Sequence, residues 1–187
     1  RRVGAVPEVS AVVAAIPFSD DLALTNACHL SGVDRVIYGS EQNVLLRFCH
    51  AAALMKADVV MRVTGDCPLL SSVAASDVIR HYREDVKSRR FWSNDTTRSG
   101  WPDGTDVEVF SSGLLSEAQL SRDKTSSDCE HVTSWMRRTL GASVGVCERQ
   151  KDTLSTLKLS IDTPEDLIRV QRFCDDDLYP REWCLSC

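Results

Sequence analysis

The chain has 187 residues, of which 43% are hydrophobic and 26% charged, and its formal net charge is −5. That length and mix suit one globular domain with a sizeable core. The acidic balance offers no basic field for nucleic acid or an anionic membrane, and no apolar run is long enough to span a bilayer.

No signal-peptide apolar core follows Arg1 and Arg2, so secretion is unsupported and a cytoplasmic protein is expected. The first residue is not Met, which reads as a fragment or a processed piece. Ala11 to Ile16 is a β-branched apolar run ending at Pro17, the pattern of a buried parallel strand. Asp20 to Ser31 has helical spacing, with Ser19 and Asp20 as candidate caps. Arg35 to Tyr38 reads as a short strand stopped by Gly39, and Asn43 to Ala57 as a helix with Val44, Leu45, Phe48, Ala51, Ala52 and Met55 on one side. Asp58 to Val63 is the clearest strand and runs into Thr64-Gly65-Asp66-Cys67-Pro68, after which Val73 to Glu84 is helical. This alternation predicts βαβ units and a parallel sheet.

The second half is less regular. Phe91 to Asn94 is extended, Trp101 to Gly104 is a turn, and Thr105 to Phe110 alternates as a strand. Leu114 to Gln119 is a short helix, and Ser126 to Leu140 a longer one with Val132, Trp135 and Met136 on its apolar side. Ser143 to Cys147 and Leu157 to Ile161 read as strands. Pro164 to Cys174 is a helix with Pro in its first turn and Thr163 as its cap. The expected organisation is one domain over 1–174 and a tail over 175–187. Of the eight cysteines, Cys28, Cys49, Cys67, Cys129 and Cys147 read as small buried hydrophobes, and Cys174, Cys184 and Cys187 fall in the tail. Cys184 and Cys187 form a C-x-x-C without a second pair at zinc spacing.

Several acids stand where chemistry is done. Asp66 follows a buried strand through Gly65, which lets the chain turn and a ligand approach. A carboxylate there suits Mg²⁺ on nucleotide phosphates, and equally suits a turn that bonds its own backbone. Asp162 ends a strand and precedes Thr163-Pro164-Glu165-Asp166. That is a good helix start whatever the function, but Thr163 can do the capping and leave Asp162 at the strand tip. Two such aspartates on adjacent strand ends would make a divalent-metal site. Asp103, Asp106 and Glu108 lie within six positions; they could hold sugar hydroxyls, or be the solvated acidic side of a hairpin. Glu130 and His131 are read as opening a helix, with Glu130 as a dipole partner and His131 facing a carboxylate or phosphate, or simply as surface residues. His29, His50 and His81 have no partner at ligand spacing. Motifs of nucleophile-elbow hydrolases, P-loop enzymes, zincins and dinucleotide-binding domains are absent.

In chain order, YGSEQNVLLRF from Tyr38, ADVVMRVTGDCPLL from Ala57, SND from Ser93, WPDGTDVEVF from Trp101, CEHVTSWMRR from Cys129 and LSIDTPEDL from Leu159 resemble one family. It is the spore-coat-polysaccharide type of acylneuraminate cytidylyltransferase-like proteins, relatives of the enzymes that form CMP-sialic acid and CMP-ketodeoxyoctonate. The resemblance implies an α/β, three-layer nucleotide-diphospho-sugar transferase (Rossmann-like) fold with a mostly parallel mixed sheet. It implies transfer of CMP from CTP to a sugar or sugar acid with release of pyrophosphate, for surface polysaccharide biosynthesis. It implies Mg²⁺ on Asp66 and Asp162, and substrate contacts from Gly65, Asn94, Asp103, Asp106, Glu108, Glu130 and His131. A homodimer is common in such relatives.

Two features depart from the family's pattern. The basic, glycine-containing loop that cradles the triphosphate has no counterpart here, so the fold is expected to be truncated at its N-terminus. Asn43 stands where Asp is usual, and either can cap the next helix. The rival readings are a metal-dependent glycosyltransferase of related fold and a non-catalytic remnant. The former would use an Asp-x-Asp pair that Asp66-Cys67-Pro68 does not supply, while Asp175-Asp176-Asp177 lies in the tail.

Overall fold

A computed structural model describes residues 2–18, 22–85 and 90–175. The candidate caps Ser19 and Asp20, and the tail from 176 onward with Cys184 and Cys187, lie outside the described residues. The stretch expected as one domain contains two compact units. One comprises Ser10–Val60 with Phe110–Val144, and the other Arg2–Val9, Met61–Val109 and the described residues from Gly145 onward.

In the first unit, β1 (Val13–Pro17) pairs in parallel with β2 (Arg35–Gly39), Val13 opposite Arg35 and Pro17 opposite Gly39. α1 (Leu22–Leu30) joins them, as a parallel pair requires, and buries none of its residues. α2 (Val44–Met55) begins where Asn43 accepts a 2.9 Å hydrogen bond from the Leu46 amide. Asn43 therefore performs the capping that an Asp would. α2 packs on β1, β2, α4 (Ser112–Leu120) and α5 (Ser126–His131). Leu45, Leu114, Leu115, Ala118, Val132 and Met136 are buried there.

The helix expected over Ser126 to Leu140 is two helices. α5 ends at His131 and α6 (Ser134–Leu140) starts after a break at Val132, which has φ 55 and ψ −55. A β-branched residue is strained at positive φ, but Val132 is fully buried and the break lets it stay so. Glu130 and His131 thus close a helix instead of opening one, and the acid in the first turn is Asp128.

In the second unit, α3 (Ser72–Glu84) is capped by Ser71, whose hydroxyl accepts from the Ala74 amide at 3.1 Å. Ala75, Val78 and Ile79 from its inner face pack with Val6, Leu70, Trp92, Val107, Val109 and Cys147. A second cluster joins Leu69, Ala74, Trp101, Leu159 and Val170, the last from α7 (Pro164–Asp175). A four-stranded sheet has the order β3 (Val59–Arg62), β5 (Glu108–Ser111), β4 (Phe91–Ser93), β6 (Gly145–Val146). β4 and β6 are parallel, and the chain has the α/β fold expected. Leu157 to Ile161 forms no named strand; its one ladder contact is an isolated parallel bridge between Asp103 and Lys158.

Cys67 and Cys147 are buried as expected, whereas Cys28, Cys49 and Cys129 are half-buried, and all three are free. Burial pushes the Cys147 and Cys49 thiols up to about 11. No helix among the described residues is long and apolar enough to cross a membrane.

Candidate active site

In the second unit, Asp66 and Asp103 are tied to residues 157–162. The Leu159 amide donates to the Asp103 carbonyl at 2.7 Å, and the Ile161 amide donates to the Asp66 carbonyl at 2.9 Å. The segment is therefore stitched by main-chain bonds to the Trp101–Gly104 turn and to the turn after β3. The Ser160 hydroxyl adds a 2.9 Å bond to Asp103 Oδ2. Gly104 has φ +92, and a Cβ there would overlap the Leu159 and Ser160 backbone. Only glycine permits both that conformation and that approach.

These bonds put Asp162 one residue beyond the residue tied to Asp66. Asp66 and Asp162 are both exposed, as are Gly65 and Asp103. The Asp66 carboxylate has a thiol contact from Cys67 at 3.7 Å. Asp162 Oδ2 meets Lys158 Nζ at 2.6 Å. The Cys67 thiol is pushed up to about 12, chiefly by burial, with the charges of Asp66 and Asp106 adding to the shift. It is a packing group, since a thiol must ionise to act as a nucleophile or ligand.

Asp106 and Glu108 are not the solvated side of a hairpin. Asp106 precedes β5, is half-buried, and accepts from the Thr96 hydroxyl at 2.9 Å and the Gly104 amide at 3.0 Å. Burial raises its carboxyl above the ordinary range; those two hydrogen bonds oppose the rise, and the neighbouring Asp103 and Glu108 add to it. Glu108 begins β5 with its side chain 9% exposed and takes a 2.6 Å ion pair from Arg62 of β3. Asn94 is buried, and its amide is occupied with backbone. It donates to the Thr105 carbonyl at 2.7 Å and accepts from the Val107 amide at 2.8 Å. Glu130 and His131 belong to the first unit, exposed at the end of α5.

Arg62, Ser160, Thr96 and Lys158 were not singled out from the sequence, yet each bonds one of the acids. Arg62 could have been found, because a cation inside the otherwise apolar run Val59 to Val63 demands a buried anion. The other three are ordinary residues in ordinary turns and carry no such signal.

Exposed carboxylates on chain ends joined by main-chain bonds are hard oxygen donors of the kind Mg²⁺ prefers. Among the described residues, no three or more His, Cys, Asp or Glu side chains group closely enough to hold a metal by themselves. A cation on Asp66 and Asp162 would take its remaining ligands from phosphate oxygens and water, as Mg²⁺ commonly does. The donor set fits the ion on those terms.

The chain resembles in structure a cytidylyltransferase from Leptospira borgpetersenii, with TM-score 0.74 and 19% identity over 94% of this chain and 79% of that one. It also resembles a CMP:2-keto-3-deoxy-manno-octonic acid synthetase solved with CTP, with TM-score 0.66 and 13% identity over 94% and 85% of the two chains. At these identities the likeness is one of fold. An uncharacterised protein of Methanocaldococcus jannaschii is 42% identical over 60 residues, a match spanning 32% of this chain and about a quarter (24%) of that protein. A family model described as cytidylyltransferase matches residues 19–180, and the chain belongs to the cytidylyltransferase family.

Proposed function

We propose that this chain belongs to an enzyme that transfers CMP from CTP to a sugar or sugar-acid hydroxyl in the cytoplasm and releases pyrophosphate, for surface polysaccharide biosynthesis. In the reaction the acceptor oxygen bonds to the α-phosphorus, the bond from that phosphorus to the bridging oxygen of the leaving pyrophosphate breaks, and the hydroxyl proton passes to solvent. Catalysis of such a transfer is largely positioning and charge neutralisation. Asp66 and Asp162 would hold Mg²⁺, which when bound offsets the triphosphate charge. Gly65 leaves room for a ligand to approach the backbone, and Asp103 presents an acceptor oxygen for a hydroxyl beside them. Glu108 and Asn94 would act indirectly, by fixing β5 and the chain that carries Asp103 and Asp106. Glu130 and His131 are the acceptor-side candidates in the first unit.

The observation that carries this reading is the hydrogen bond from the Ile161 amide to the Asp66 carbonyl. It ties together the two chain ends whose carboxylates are exposed, and a shared cation would sit where those carboxylates converge. The test is pyrophosphate release by the protein in its full reading frame, supplied with CTP, Mg²⁺ and a panel of sugar acids. Release should require all three. The reading fails if Asp66→Ala and Asp162→Ala both leave that rate unchanged.

A further inference from the structure

Lys158 stands between two aspartates of unequal standing. Its Nζ lies 2.6 Å from Asp162 Oδ2 and 2.8 Å from Asp166 Oδ2. Asp166 is saturated. Its carboxylate also accepts from the Asp162 amide at 3.0 Å, the Thr163 amide at 3.1 Å and Arg169 at 2.7 Å, and its side chain is 7% exposed. Asp162 is the opposite case. Its side chain is 56% exposed, and Lys158 is its one side-chain partner among the described residues.

The backbone of Lys158 is fixed from both directions. Its carbonyl accepts from Arg169 Nε at 3.0 Å, and it bridges Asp103. Lys158 is therefore anchored at Asp166 whatever happens at Asp162, and Asp162 is the partner that can be exchanged.

We propose that Lys158 is a resident counter-ion for Asp162 that competes with the divalent cation. This inference rests on the metal reading above. In the free protein the ammonium offsets the charge on Asp162 beside Asp66. A divalent cation must displace it from Asp162, and the ammonium then stays on Asp166 as a nearby like charge. Lys158 in this role is a positioning residue that holds metal affinity down, so that the cation is retained only with its nucleotide.

The test is Mn²⁺ binding in the absence of nucleotide, followed by the relaxation of water protons. Lys158→Met should bind Mn²⁺ about fivefold more tightly than the wild type, the scale of one exposed ion pair. That gap should narrow as salt screens the pair. Lys158→Arg should keep the wild-type affinity. Lys158→Gln retains a donor toward Asp166 and supplies the same reading if the Met variant does not fold. Combined with Asp162→Asn, the Lys158 change should have no further effect.

Unchanged or weaker Mn²⁺ binding in both neutral variants, with Asp162→Asn and Asp66→Asn each abolishing it, overturns the competition and leaves the metal reading standing. Mn²⁺ binding indifferent to Asp66→Asn and Asp162→Asn removes the metal reading, and the competition with it.

Discussion

Two helix starts, one in each unit, use the same four-residue device. At Thr125–Asp128 the threonine hydroxyl accepts from the Asp128 amide at 3.2 Å, and Asp128 accepts from the Thr125 amide at 2.8 Å. At Thr163–Asp166 the corresponding distances are 3.2 and 3.1 Å. In each, an arginine also binds the carboxylate: Arg138 reaches both oxygens of Asp128 at 2.9 and 3.0 Å, and Arg169 reaches the oxygen of Asp166 away from the cap at 2.7 Å. Both are capping boxes with an added ion pair. The Arg138 hydrogen bonds hold the Asp128 carboxyl well below the usual carboxylate range, and those of Lys158 and then Arg169 do the same for Asp166.

What differs is the residue ahead of the threonine. Lys124 precedes the first box and spends its ammonium on the Gln119 and Ser121 carbonyls. Asp162 precedes the second, exposed at the end of the stitched segment. The acids inside the boxes are scaffold, and the acid outside one of them is the candidate for chemistry.

That contrast can be broken by mutation. Asp162→Ala should lower pyrophosphate release by about 100-fold or more, on the scale of losing one fixed charge partner in a transition state, and leave the melting temperature nearly unchanged. Asp128→Ala should do the reverse, lowering folding stability by about 2 kcal/mol in a denaturant titration through the lost cap and the unpaired Arg138. If Asp162→Ala unfolded the protein while Asp128→Ala abolished turnover, the division would be wrong.

Gly104→Ala sharpens the point from the backbone side. Its positive φ and the Leu159–Ser160 main chain against it should cost about 2 kcal/mol or more of stability and also reduce Mn²⁺ binding, since the stitched segment must shift. Asn94→Ala should cost a similar ~2 kcal/mol, because it leaves the Val107 amide and the Thr105 carbonyl without its bonds, with little change in Mn²⁺ affinity.

The smallest effect is one of pH. Asp128 has a folded pKa below its unfolded value, so its contribution is fully present above about pH 5 and is lost as pH falls through the carboxylate range. Asp128→Asn should therefore flatten the acid limb of the stability curve in chemical denaturation.

Much of this was legible in the sequence where the signal was local. The run DVVMRV and the Thr163–Asp166 start read directly as strand and helix start, and the structure has β3 and α7 there. Misreadings came where tertiary contacts decide. Helical periodicity runs unbroken through Val132, but burial of its side chain holds a backbone conformation that propensity would reject. Leu157 to Ile161 alternates like a strand, yet its amides are shared between two turns instead of one neighbouring strand. Asp106 and Glu108 looked like solvent-facing acids, because nothing near them in sequence reveals Thr96 or Arg62 coming in to bond them.

The segment before α7 is fastened at Asp66 and Asp103 through carbonyl oxygens, which every amino acid possesses. The main-chain part of that fastening survives an exchange of the side chains at those positions; at Asp103 the added bond from the Ser160 hydroxyl is what an exchange removes. A lineage could try new acceptors, or abandon the reaction altogether, while keeping this framework folded.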